Sequence, residues 1–231
     1  MAARSERAAA RPRAGGAKTA AAARRRTPPA RVSRKQQGEQ TRRAILEAAV
    51  ELYAESGFRG VGLMAIGERA GVHHATVLYH YKSSRELLLA VLAERDRRFL
   101  AFSREALRGG GLAALRNLPV VARFNLEHPV WAKLFTVLRE ENLDPNGEAH
   151  AYFVARRREA HRMVTRDLRT AKRRGEIRPD VDEDVTATAI LAFTAGAQIQ
   201  HFLDPANVDL IAVYERFTRM LIDDLTRGMA R

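Results

Sequence analysis

Between Leu63 and Tyr81 the chain reads LMAIGERAGVHHATVLYHY, a pattern that leaves little freedom in how it folds. Leu63, Ile66 and Ala70 fall on one face at helical spacing, and Gly71 follows, supplying the left-handed conformation that ends a helix. Val72 is expected to plug the turn. A second short helix then points Val77, Leu78 and Tyr81 inward and leaves His74, Ala75, Thr76, Tyr79 and His80 outward. Two short helices joined this way form a helix-turn-helix, whose second helix is suited to lie in a DNA major groove.

The flanking residues make the motif more specific. Upstream, Ile45, Ala48, Ala49, Leu52 and Tyr53 repeat at the helical period, and the run closes at Gly57. Downstream, Ser83-Ser84-Arg85-Glu86 is a capping box, in which the serine hydroxyl accepts a first-turn amide and the glutamate reaches back to the cap. Leu87, Leu88, Val91 and Leu92 then start a long helix. The segment AILEAAVELYAESGF from Ala44 to Phe58, the AGV of Ala70 to Val72, and Thr76, Tyr79, Tyr81, Lys82 and Ser83 followed by Glu86, Leu87 and Leu88 strongly resemble the amino-terminal DNA-binding domain of the TetR family of bacterial transcriptional regulators.

The resemblance implies roles for individual residues. Tyr79 and His80 would meet the DNA backbone, Thr76 a phosphate or base edge, and Lys82 a phosphate. Ala75 permits close approach and contact with a thymine methyl. Arg42 and Arg43, near the start of the first helix, would add backbone contacts. Two positions depart from the family pattern. Gly62 stands where members usually carry a threonine that caps the helix and touches a phosphate, and glycine has no side-chain oxygen to do either. The turn carries His73-His74 in place of Ser and a Lys or small polar residue. These imidazoles either add charge toward DNA as pH falls or are solvated turn residues. No third ligand stands nearby, so no metal site is expected.

The net charge of +13 is concentrated in residues 1–35, where eleven Lys or Arg face the single acid Glu6. Rich in Ala, Pro and Gly and nearly without larger apolar residues, this arm is expected to be disordered. Three readings stand: a strand lying along phosphates or in the minor groove, a solubilising tail, or a start displaced upstream of Val32. A non-specific architectural DNA binder driven by the arm is the alternative function. Against it, residues 36–83 balance five basic against five acidic residues.

At 231 residues and 46% hydrophobic, the chain is long enough for a head and a second domain. It has no cysteine, hence no disulfide or thiolate chemistry. No apolar run reaches membrane-spanning length, and a soluble cytoplasmic protein without membrane contact, nucleoid-associated when on DNA, is expected. No His-Glu-x-x-His, phosphate loop or Gly-x-Ser-x-Gly is present, so neither an enzyme nor a cofactor is expected. The expected organisation is an all-α chain: the arm at 1–35, the DNA-binding domain at 39–99 with its motif at 62–81, and a regulatory domain at 100–228.

In that second domain, Gly109-Gly110-Gly111 ends the connector helix, Pro119 is expected to kink the next one, and Pro129 opens another. Asp144-Pro145-Asn146-Gly147 is a turn. An amphipathic helix follows from about Glu148 to Arg174, and Gly175-Glu176-Ile177-Arg178-Pro179-Asp180-Val181-Asp182 resembles the family's loop before its last two helices. Those run from about Glu183 to Phe202 and Val208 to Gly228. Ala187, Ala189, Ala192, Ala195, Gly196 and Ala197 make the first small-sided. Leu210, Ile211, Tyr214, Phe217, Met220, Leu221 and Leu225 give the second more apolar surface than one monomer face uses, and a homodimer through this pair is expected. Two recognition helices then require a pseudo-palindromic double-stranded operator. The resemblance further implies a ligand-responsive repressor whose small-molecule effector, apolar or aromatic, moves the connector helix and releases DNA. Candidate pocket residues are Phe102, Phe124, Trp131, Phe135, Tyr152 and Phe193, with Asn125, His128, Gln198 and His201 as polar selectors.

Overall fold

The computed structural model describes residues 33–228, so the expectations for residues 1–32 lie outside it. The described residues form ten α-helices and no strand. The head comprises α1 (Arg34–Ser56), α2 (Leu63–Arg69), α3 (His74–His80) and the start of α4 (Ser84–Ala106). Helix α1 already begins at Arg34, so the last two residues of the expected arm are helical.

Local chemistry sets these boundaries. Ser83 Oγ accepts the Glu86 amide at 3.1 Å, and Glu86 Oε2 accepts the Lys82 amide at 3.0 Å, one residue before the expected cap. Gly62 caps α2 with no side-chain hydrogen bond. The turn between α2 and α3 needs two glycines for different reasons. Gly71 has φ +68°, where L side chains are strained. At Gly67 a Cβ would stand 2.8 Å from the Val72 carbonyl oxygen, so only glycine lets the turn close on α2.

The motif's inward face differs from expectation at one residue. Val77 and Tyr81 are fully buried, but Leu78 is exposed. A seven-residue helix resting on α1 and α2 offers one inward line, which the i, i+4 pair of Val77 and Tyr81 occupies; Leu78 lies beyond its edge. Tyr81 is further tied to α1 by its hydroxyl, which donates to the Arg42 carbonyl at 3.3 Å, while the Arg42 guanidinium lies over its ring.

The remaining helices are α5 (Gly111–Arg116), α6 (Leu118–Glu127), α7 (Pro129–Glu141), α8 (His150–Arg173), α9 (Glu183–Leu203) and α10 (Leu210–Leu225). Pro119 does not kink a continuous helix. The chain breaks at Asn117, and Pro119 sits in the first turn of α6, where its missing N–H costs no helical bond. Asp182 and Asp209 cap α9 and α10 through first-turn amides.

Two apolar cores result. One joins Ile45, Tyr53, Ile66, Val77, Tyr81, Leu88 and Leu92 of the head to Leu134, Leu138 and Phe153 of α7 and α8. The other packs Leu115, Leu168, Ile177, Ile190, Leu210 and Tyr214 together. The first core runs without interruption from the helix-turn-helix into the body. Each fully buried Leu or Ile contributes ~1.5–3 kcal/mol to holding these parts together.

Candidate functional site

On the outer side of the head, α3 presents the expected recognition residues. His74, Ala75 and Tyr79 are exposed, Thr76 and His80 half-buried, and Lys82 exposed just beyond the helix. Tyr79 is 83% exposed, unusual for an aromatic ring and unexplained by packing. His80 meets its ring edge-on. His73 plays a structural part, since its Nδ1 accepts the Ala75 amide at 3.3 Å and so caps α3 in place of the usual serine or threonine. Arg42 and Arg43 are exposed on α1, but Arg43 is engaged with Glu47 at 2.9 Å. The structure therefore brings Ala75, Thr76, Tyr79, His80 and Lys82 to one surface on and beside α3.

Among the described residues there is no cluster of three or more His, Cys, Asp or Glu suited to a metal ion, and no helix long and apolar enough to cross a membrane.

Inside the body a cavity of about 390 Å³ is walled by α4, α6, α7, α8, α9 and α10. Of the residues expected in a pocket, Asn125, Phe135 and Gln198 line it. The other seven do not, and their contacts say why. Phe124 stacks on His128 and packs, tilted, against Phe102. Trp131 lies under the Arg98 guanidinium, and Phe193 stacks on Phe217 at 3.6 Å. The Tyr152 hydroxyl donates to Asp96 at 2.6 Å, while His201 Nδ1 is hydrogen-bonded to the Val208 carbonyl at 2.9 Å.

The walls hold charge that sequence reasoning missed. Arg95, Arg139, Arg156 and Arg157 line the cavity beside Phe99, Phe153 and Tyr214, and no Asp or Glu does. Arg95 lies between the rings of Phe135 and Phe99, its Cζ 3.7 and 4.7 Å from their centroids. Burial pushes its guanidinium down to about 10, with Asp96 opposing and Arg156 adding to the shift; it remains charged at neutral pH. Asn125 Nδ2 donates to Gln198 Oε1 at 2.7 Å, forming a second polar patch. A signal for the arginines does exist in the sequence. Leu88, Leu92, Arg95 and Phe99 follow one apolar stripe of α4, as Tyr152, Phe153, Arg156 and Ala160 do on α8, and an arginine within such a stripe must face inward.

The apolar residues of the last two helices fall into three groups, with Ala195, Ile211, Phe217 and Leu221 half-buried. Ala187, Ala197, Leu210, Tyr214 and Leu225 are buried within the monomer and so do not belong to an intersubunit face. Val185, Ala189, Ala192 and Leu203 of α9 remain exposed at helical spacing, with Val213 and Met220 of α10. Above Gly196 there is open space.

The profile of the family "Bacterial regulatory proteins, tetR family" matches residues 45–91, which span the helix-turn-helix and its flanks. The transcriptional regulator UidR of Escherichia coli K12 is 26% identical over 164 residues, covering 69% of this chain and 81% of that protein. TtgW of Pseudomonas putida, an uncharacterized regulator of the same helix-turn-helix type, is 30% identical over 116 residues, or 49% of this chain and 84% of its own length. Among solved structures, SmeT bound to triclosan superposes with a TM-score of 0.70 at 22% identity, over 83% of this chain and 94% of that one. SmeT is the repressor of a Stenotrophomonas maltophilia multidrug efflux pump. With the helix-turn-helix, its flanking helices and the helical body all in place, the chain belongs to the TetR family of bacterial regulatory proteins and is a DNA-binding transcriptional regulator, not an enzyme.

Proposed function

We propose that this regulator binds a pseudo-palindromic operator as a homodimer and releases it when a small molecule enters the body cavity. The observation that carries this reading is helix α4. Its first half, with Leu87, Leu88, Val91 and Leu92, belongs to the head core, and its second half, with Arg95 and Phe99, is cavity wall. A ligand that repositions α4 at the cavity therefore repositions the head. Such a ligand shifts the balance between a DNA-competent and an incompetent state by its differential affinity for the two. Helix α7 offers a parallel route, since Phe135 and Arg139 face the cavity while Glu141 accepts the Phe58 amide of the head at 2.7 Å.

DNA reading is assigned to Ala75 and Thr76 at base edges, with Tyr79, His80, Lys82 and Arg42 on the backbone. His74 is placed with the base-reading residues, and His73 acts through its cap of α3. The exposed stripe on α9 and α10 supports the dimer, and a dimer sets two copies of α3 at half-site spacing. Triclosan seated in SmeT, which shares this fold, supports a small-molecule effector here.

The test is capture of genomic DNA fragments by the purified protein, with and without residues 1–33, followed by sequencing. One palindromic motif recovered by both forms is the expected result. DNA without a motif, lost when the arm is removed, would replace this reading with an architectural binder.

A further inference from the structure

The cavity walls are mostly apolar, yet their charge is unbalanced. Arg95 and Arg156 are both buried there, their side chains 11% and 9% exposed. Both depend on one carboxylate, Asp96, whose Oδ1 lies 3.2 Å from Arg95 Nη1 and 2.9 Å from Arg156 Nε. Asp96 also accepts the Tyr152 hydroxyl at 2.6 Å. Arg156 Nη1 is buried without a hydrogen-bond partner, and it forms only a longer ion pair, at 3.6 Å, with Glu159, whose side chain is half-exposed. A buried guanidinium N–H without a hydrogen bond beside a mostly apolar cavity is costly, and an incoming anion that accepts from it gains a charge-assisted bond in a low-dielectric site.

We propose that the cavity selects an anionic amphiphile, a carboxylate on an aromatic or alkyl body, with the carboxylate held by Arg156 and Arg95 in competition with Asp96. This deepens, and rests on, the ligand-responsive reading above. The body of the ligand lies against Phe135 and Phe99, and the Asn125–Gln198 pair lines the same cavity. The competition supplies a mechanism as well as a preference. Asp96 belongs to α4 and Arg156 and Tyr152 to α8, so an anion that draws Arg156 away removes one of the two bonds by which Asp96 ties α4, the connector helix, to the body and leaves that of Tyr152. A neutral ligand of the same shape fills the space but leaves that tie intact.

The experiment is calorimetric titration of the full-length protein with octanoate, dodecanoate and naphthoate, each beside its primary amide, with operator retention measured in parallel. At least one acid is expected to bind about tenfold or more tighter than its amide. That advantage should shrink to about threefold or less in Arg156→Met. Acids and amides binding alike, amides binding better, or no binding by any acid would each overturn the anion preference, and these comparisons need only the wild-type protein. An acid that binds selectively but leaves the operator bound keeps the anion site and removes the ligand-responsive reading. Release by amides as effective as by acids does the reverse.

Discussion

In the head, Ile45, Ile66, Val77, Tyr81, Leu87 and Leu88 are fully excluded from solvent, whereas in the body six helices stand around about 390 Å³ that they leave unfilled. The head uses its apolar residues to fix a short helix and displays one aromatic, Tyr79, to solvent. The body keeps Phe99, Phe135 and four arginines facing a space. A reading surface must be rigid before its partner arrives, so its support is closed and complete. A cavity with room for a guest forgoes some packing that would otherwise stabilise the monomer.

The sharpest test of that contrast is volume. Leu134→Ala, in the shared core where Leu134 is fully buried, should lower stability by ~2–5 kcal/mol in urea unfolding. Ala160→Leu, which adds bulk facing the cavity, should change it by less than ~1 kcal/mol and abolish effector binding. Equal costs for the two would mean that the cavity is not open space in solution.

A second test addresses the joint between the regions. Glu141 Oε2 accepts the Phe58 amide, so Glu141→Ala leaves that half-buried N–H without its partner. The expected loss is ~1–3 kcal/mol, with faster amide exchange at Phe58 than elsewhere in the head. Unchanged exchange there would show that α7 does not hold the head.

Third, Tyr79→Ala should weaken operator binding about tenfold or more in fluorescence anisotropy while leaving the unfolding midpoint unchanged, because the ring packs on nothing that holds the fold. A shifted midpoint would assign Tyr79 to the core instead. His73→Ala has the opposite signature: it removes the cap of α3, costing ~0.5–2 kcal/mol, and affects DNA only through the frayed helix.

The smallest effect concerns Glu94 in the middle of α4. Hydrogen bonds, the largest from Arg97 and another from Arg98, hold its carboxyl below the ordinary glutamate range against a partial burial cost. A lowered folded value means that its contribution is present above the unfolded pKa and is lost as pH falls through the folded one. Glu94→Gln should therefore lower stability slightly near neutrality, where the carboxylate's contribution is present, converge with the wild type at low pH and so flatten the acid limb of the stability–pH curve, as urea unfolding across pH would show.

What was legible in the sequence was whatever depends on neighbours a few residues apart. The Ser83 cap with Glu86, the turn at Gly71, the buried pair Val77 and Tyr81, and the outward face of α3 follow from helical periodicity and capping, and with them came the family. Leu78 escaped because a helix of seven residues has room for only one inward line, and which line is used depends on how α1 and α2 meet it. In the body, periodicity marked apolar faces but not where six such faces fail to close. Phe102 and Phe193 looked as eligible for the cavity as Phe135, but Phe124 and Phe217 pack against them. The pairing of Asp96 with Arg156, sixty residues away, and of Glu141 with Phe58, eighty-three away, has no local signature at all. Sequence alone determined most of the helices and the exposed face of α3 because hydrogen bonds and side-chain stripes within a helix are short-range. The cavity and its tie to the connector helix were decided by tertiary packing, because they exist only where distant helices meet.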